Sequence, residues 1–296
     1  MTLLPSARIA TPMDLVAILG AGDLGATLAR RVAEAQIARC VVLVDANEGM
    51  AGGKALDLLQ SGPVEGYDTG IEGRSALAST DAPEVWVVTD PPELLDVSPE
   101  AARIYAHGLV SRVGKGFLIV AGDHGPSIVE AAVEKGLPRE RVLGSAPLAW
   151  AGALRRRLAE ELRVRAADVA LTVLGLPPAH LVLPQRAATV GGIPVDAVSA
   201  VALRRTLDAV RRRWLGPVAL ATAAAHVLTA LAGRSRAQLP VFVRLDGEYG
   251  HRRIALASPV QMGAGRIESV VEVPLDPVDR VGMDDAAQRR FEGEDA

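Results

Sequence analysis

Short apolar runs recur through the first half of the chain, at 15–19, 41–45, 85–89 and 117–121, with helix-period stretches between the first two and after the third. Runs of this length separated by helices predict a parallel sheet whose strands are buried on both faces, the doubly wound α/β arrangement. From about residue 151 the pattern changes to a helix through Leu162, a strand-like 169–174 and a long helical region over 195–232. After Pro240 the segments VFVRLDG, HRRIALASPVQM and RIESVVEVPL alternate apolar and polar positions between Gly and Pro punctuation, which predicts an antiparallel meander. The expected organisation is a doubly wound α/β domain over 1–145 followed by an α+β domain over 146–296. Without internal repeats or a low-complexity linker, the two halves are expected to share an interface. The last twenty residues, ending EGEDA, are polar and expected to fray.

One stretch carries chemistry as well as pattern. Residues 15–45 read LVAILGAGDLGATLARRVAEAQIARCVVLVD, an apolar run followed by G-x-G-x-x-G at Gly20, Gly22 and Gly25, a helix, a second apolar run and a closing acid. This is the dinucleotide-binding fingerprint in its strand–turn–helix context. Gly20 permits the tight turn, Gly22 lets backbone approach a pyrophosphate, and Gly25 allows close helix-on-strand packing. Asp45 stands where a carboxylate would hydrogen-bond a ribose 2′-hydroxyl and repel a 2′-phosphate, so the expected cofactor is NAD rather than NADP. The expected cofactor-binding set is Gly20, Gly22, Asp23, Leu24, Gly25, Asp45 and Thr89. The bland alternative is a βαβ unit that packs without a ligand.

Composition narrows the partners. With 296 residues, 49% of them hydrophobic, the chain can bury a large core. A net charge of −3 gives no general attraction to nucleic acid or to an anionic membrane. Arginine runs at 155–157 and 211–213 fall in amphipathic helical patterns and read as solvated faces. The N-terminal MTLLPSARIATPMD lacks a sustained apolar segment, so no membrane span is expected and a cytoplasmic location is. The single cysteine, Cys40, opens the second apolar strand and reads as an inert buried thiol. The five histidines nowhere approach metal-ligand spacing, and no metal is expected.

Several stretches beyond the fingerprint resemble the malate dehydrogenases of the lactate/malate dehydrogenase superfamily. They are GKALDLLQSGPVEG at 53–66, GLPRERVLG at 136–144, TVGGIP at 189–194, LDGEYG at 245–250 and SPVQMGAGRIESVVEVPL at 258–275. The resemblance runs from about Leu15 to Leu275 and implies a Rossmann-type domain, a substrate domain, and assembly into homo-oligomers, dimers or tetramers. It also implies NAD-dependent oxidoreductase chemistry on a 2-hydroxy acid. That chemistry needs a histidine as proton donor, a carboxylate to orient it, and arginines to grip the substrate and polarise its carbonyl.

At those positions the chain departs from the family. The histidine of V-L-G-G-H-G-D falls at Pro177 in VLGLPPAHLVLP, which has no titratable side chain. Matching L-D-x-A-R-x-R to LAWAGALRR puts Trp150 at the aspartate and Ala153 at the substrate-binding arginine, and only Arg155 remains. Gly122 in AGDHGP takes the place of an asparagine, and Pro217 that of a small polar residue. The arginine-bearing lid is replaced by DPPELLDVSPE at 90–100, in a segment shorter than the family norm by roughly ten residues.

Donor, orienter, anchor and lid are therefore absent together, and malate or lactate dehydrogenase turnover is expected to be absent or vestigial. Trp150 would fill volume that the substrate and its partners vacated. Two residues stand as possible substitutes: His180, three positions beyond Pro177, and His124, beside Asp123 at the end of the fourth apolar run. The expected protein is a nucleotide-binding relative with a sensing or assembly role. The alternative is an NAD-dependent oxidoreductase on a different small 2-hydroxy or 2-oxo acid that uses His124 or His180. His107, His226 and His251 carry no motif. In the cofactor site, Asp90 and Pro91 follow Thr89 where the family has small residues, and a carboxylate there is repulsive to a diphosphate unless it points away.

Overall fold

A computed structural model describes residues 12–78, 80–90, 99–122, 124–212 and 214–291. Its first half runs β1 (Met13–Leu19), α1 (Asp23–Glu34), β2 (Ala38–Val44), α2 (Glu48–Glu65), β3 (Gly70–Arg74), β4 (Val85–Val88), α3 (Pro99–Val113), β5 (Phe117–Val120), α4 (Gly125–Glu134) and β6 (Val142–Gly144). The strands lie in the order β3-β2-β1-β4-β5-β6, each pair parallel. Order reverses at β1, and the β1/β4 gap is the switch point outside which open α/β sheets bind ligands. All four residues of β4 and of β5 are buried, the reason their sequences are continuously apolar rather than alternating. The sequence-expected strands match β1, β2, β4 and β5 apart from a few terminal residues. Strand β3, GIEGR, was not expected, since its composition lacks the β-branched and aromatic signal. It is held by its partner β2, from Cys40↔Gly70 to Val44↔Arg74.

Local rules account for the crossovers. Helix α1 buries Leu24, Leu28, Val32, Ala29 and Ala33 on one face and leaves Arg30 and Arg31 outward, where Arg30 pairs with Glu34 at 2.6 Å. Helix α2 starts where the Asn47 side chain accepts the Met50 N–H at 3.1 Å, and it stops at Gly66, whose φ of +86° closes a left-handed cap.

The second half contains α5 (Ala146–Leu162), β7 (Val169–Ala170), β8 (Leu174–Leu176), β9 (His180–Val182), β10 (Thr189–Val190), β11 (Ile193–Pro194), α6 (Val195–Val210), α7 (Pro217–Leu231), β12 (Gln238–Asp246), β13 (Arg252–Gly263), β14 (Arg266–Val270) and α8 (Pro277–Phe291). The meander β12-β13-β14 is antiparallel, as its alternation predicts. It continues the parallel sheet, because β12 pairs with β6 at Phe242↔Gly144. The Phe242 ring lies against Gly125 and Gly144, leaving no room for a side chain at Gly125 and a tight fit at Gly144. One apolar core therefore runs from Val16 and Ile18 through Leu154 and Leu228 to Val260 and Met262.

Three expectations in this half need correction. The helical region over 195–232 is two helices, parted where Gly216 and Pro217 start α7. The strand over 169–174 is split between β7, in a small sheet with β10 and β11, and β8, in the main sheet. The final stretch does not fray before Phe291. Asp276 accepts the N–H groups of Val278 and Asp279 at 2.9 Å each, capping α8, whose Met283, Ala286, Ala287 and Arg290 are buried.

Candidate functional site

The carboxyl ends of β1, β2 and β4 converge on the glycine turn. Gly20 has φ +106° and donates its N–H to the Val44 carbonyl at 2.8 Å, tying the turn to β2. A Cβ on Gly25 would lie 3.0 Å from the Gly20 carbonyl carbon and closer still to its oxygen, so helix and turn touch backbone to backbone. Thr89, fully buried, donates its hydroxyl to the carbonyls of Leu19 at 2.7 Å and Gly20 at 3.1 Å. Gly22 is the N-cap of α1 and brings no side-chain cap, which leaves the first-turn N–H groups facing the cleft.

Asp45 is 4% exposed and is held at both oxygens. Oδ2 accepts the Ala21 N–H and Oδ1 the Asn47 N–H, each at 2.9 Å. A carboxylate has about four acceptor positions, so capacity remains for hydroxyl donors. It sits in the wall of a cavity of about 370 Å³ lined also by Leu19, Ala76, Ile104 and Leu109. It is a mixed slot, apolar on several walls and carrying Ser75, Tyr105 and Arg112 beside the acid, within the roughly 300–1,000 Å³ typical of small-molecule sites. The remaining expected residues divide. Leu24 is buried in the core and offers the cleft only its backbone, while Asp23 is exposed and pairs with Lys54 Nζ at 3.3 Å.

The adenosine end of a dinucleotide fits this geometry: a slot for the base and an acid for the ribose. The diphosphate position is different. A Cβ on Gly22 would fall 2.9 Å from the Asp90 carboxyl carbon and 3.1 Å from its Oδ1, so the Asp90 carboxylate lies directly over the turn. It points toward the cradle, not away from it. The rest of the replaced lid, residues 91–98, lies outside the described residues, as does Asp123.

On α5, Trp150 is 4% exposed and half-buried Ala153 lies one helical turn further along. Both line a cavity of about 720 Å³ between α5 and α7, with Trp214, Val218, Arg155 and His226 among its other walls. Trp150 thus borders a large space rather than closing it. The arginine run at 155–157 is not wholly a solvated face: Arg156 is exposed, whereas Nε of Arg155 and of Arg157 is buried without a hydrogen-bond partner. Pro177 is buried in the β8–β9 turn and is not part of that cavity's wall.

The structure does not bring the two substitute histidines together. His124 caps α4 at the end of β5. His180 is on β9 at the far end of the sheet, with β6, β12, β13 and β8 between it and β5. Its Nδ1 lies 2.8 Å from Asp285 Oδ2 of α8. The sequence reading missed this carboxylate partner, because Asp285 is 105 residues away in a segment expected to fray. His251 faces the neighbouring Asp284 at 3.1 Å. Cys40 is half-buried, and burial pushes its thiol pKa up, away from the reactive thiolate. Among the described residues no helix is long and apolar enough to cross a membrane, and no three His, Cys, Asp or Glu side chains are grouped to hold a metal.

Comparison with known proteins gives the lineage. The chain is 32% identical over 295 residues to a malate dehydrogenase of Salinibacter ruber, covering 92% of this chain and 93% of the relative. It is 31% identical over 305 residues to a malate dehydrogenase of Nostoc punctiforme, covering 96% and 93%. The chain belongs to the malate dehydrogenase family. The crystal structure of the Salinibacter ruber malate dehydrogenase superposes with a TM-score of 0.86 at 31% identity, covering 95% of this chain and 96% of that one. A lactate dehydrogenase of Cryptosporidium parvum, complexed with lactic acid and nicotinamide adenine dinucleotide, has the same fold at 23% identity and a TM-score of 0.87, covering 96% and 97%. No family model matches the chain.

Proposed function

We propose that this malate dehydrogenase-family protein binds NAD(H) through the adenosine half of its cleft and lacks 2-hydroxy acid dehydrogenase turnover, serving in nucleotide binding, sensing or assembly. Residues 1–145 would be the nucleotide-binding part and 146–296 the former substrate part. The observation that carries the reading is the contrast between the intact glycine turn and the replaced family positions. On one side stand Gly20, Gly22, Gly25 and the buried, doubly bonded Asp45. On the other stand Pro177, Trp150, Ala153 and Gly122 where proton transfer and substrate anchoring would need titratable or charged groups.

Titration of the purified protein with NAD, followed by malate, oxaloacetate and lactate assays, tests it. The expected outcome is saturable binding with turnover far below the roughly 1–10³ s⁻¹ usual for enzymes. Turnover inside that range refutes the proposal. The homo-oligomer reading is supported by exposed apolar side chains on α2, Leu56, Leu59 and Val64, and by exposed Trp214 and Val218 in the wall of the α5/α7 cavity. Light scattering coupled to gel filtration checks it, and a monomer at high concentration would reject it.

A second reading is favoured by one observation. The His180–Asp285 contact is the histidine–carboxylate pairing that orients a general acid or base. If the protein reduces another small 2-oxo acid with this pair, or with His124, then the His180→Ala, Asp285→Asn or His124→Ala variant loses about 10²–10⁴ in rate. Unchanged rates in all three variants remove this reading.

A further inference from the structure

Two acids stand at the glycine turn: Asp45 accepts the Ala21 N–H, and Asp90 lies over Gly22. The position above Gly22, where the unpartnered N–H groups of α1 concentrate positive potential, is where an anion gains most. Asp90, from the end of the neighbouring strand β4, already places a carboxylate there, with its Cγ 2.9 Å and its Oδ1 3.1 Å from where a Gly22 Cβ would be. The cavity holding Asp45 is lined by Leu19, Ala46, Ser75, Ile104, Leu109 and Arg112, and neither Gly22 nor Asp90 is in its wall.

We infer that Asp90 is the specificity-determining residue of the cleft: its carboxylate stands in the phosphate cradle as a built-in competitor. The diphosphate of NAD(H) then adds little to the binding of its adenosine half, or subtracts from it. The inference rests on the nucleotide-cleft reading and states what that cleft selects. A neutral ribonucleoside offers hydroxyl donors to Asp45 and places no charge beside Asp90. A diphosphate must displace Asp90 from the helix terminus and then lie next to it. At separations of about 4 Å, repulsion between two like charges in a partly solvated site is worth a factor of ten or more in affinity. Salt screens it over a Debye length of about 10 Å at 0.1 M.

The test is calorimetric titration of the full chain and of its Asp90→Asn and Asp90→Ala variants with adenosine, ADP-ribose and NAD. For the unaltered protein, ADP-ribose is expected to bind no more tightly than adenosine, and the gap between them should narrow as sodium chloride is raised from 50 to 500 mM. In both variants ADP-ribose and NAD should tighten about tenfold or more while adenosine changes by less than threefold. Asp90 is exposed and outside the core, so the variants should fold. If ADP-ribose already binds the unaltered protein tens of times more tightly than adenosine and the variants leave that ratio unchanged, the inference is wrong and the cleft reading stands. If neither ligand binds any of the three proteins at 10 mM, the cleft reading fails and takes the inference with it.

Discussion

At Gly25 the chain has no freedom, because any side chain would drive into the Gly20 carbonyl, which is itself fixed by φ +106° and by the Thr89 hydroxyl. Gly25→Ala must push α1 off the turn. The expected outcome is a loss of about 2–4 kcal/mol in chemical denaturation, as for overpacked or strained core sites, together with loss of nucleotide binding. A variant as stable as the parent would show that the turn can relax. Gly52, on the other hand, has nothing within 4 Å of a built Cβ, and Gly52→Ala should be neutral to slightly stabilising. The glycine turn could be read from sequence because each glycine answers a local backbone demand that only glycine meets. Asp90 could be named as a blemish, but its direction could not be read. Whether its carboxylate turned toward Gly22 depended on how β4 lies against β1, a long-range matter. The same limit hid Asp285, whose role exists only because α8 packs on β9.

Among the elements, α8 is the clearest case of a signal present but outweighed. Its stretch PVDRVGMDDAAQRRF is polar, and the few apolar positions gave no convincing stripe. Yet Asp276 followed by Pro277 is an N-cap followed by a first-turn proline, a helix start that depends only on local chemistry. Removal of the cap by Asp276→Ala should cost about 1 kcal/mol and loosen the helix. Amide exchange across 277–291 should speed up while exchange in β1 and β5 stays slow. Uniformly unchanged exchange would mean that packing alone, through Met283 and Ala286, holds α8 in place. The opposite lesson comes from β3, which no local signal marks and which forms because β2 offers it a free edge.

At the scale of the whole molecule, the main sheet runs through both halves, and among the described residues two ion-paired ties join those halves and set the response to substitution and to pH. Arg290, buried at the end of α8, reaches Glu130 of α4 at 2.7 Å and donates to Ser127 at 3.2 Å, while Glu130 also accepts the Ala255 N–H of β13 at 2.6 Å. Removing the cation from that half-buried carboxylate, as in Arg290→Met, should cost about 1.5–3 kcal/mol. Adding Glu130→Leu should recover part of the loss, since a buried pair is worth less than the penalty of breaking it.

The second tie is Arg139 to Glu248, with two contacts of 3.0 Å. Burial pushes the Glu248 carboxyl up, but the Arg139 fork and backbone N–H groups outweigh it, and the net pKa is below the ordinary value. A carboxyl depressed in the folded state stabilises above its unfolded pKa of about 4.3, and that contribution is lost as pH falls through the lower folded value. Asp279 behaves in the opposite sense. Burial and the neighbouring Asp276 raise its pKa, so its ionised form strains the fold at neutral pH, and the strain fades as pH falls through the raised value. Melting curves from pH 7 to pH 3 separate the two groups. Glu248→Gln should be destabilised at pH 7 and converge on the parent in acid. Asp279→Asn should be stabilised at pH 7 and converge in the same direction from the other side. Curves for either variant that ran parallel to the parent at every pH would mean that its carboxyl titrates alike in the folded and unfolded chain.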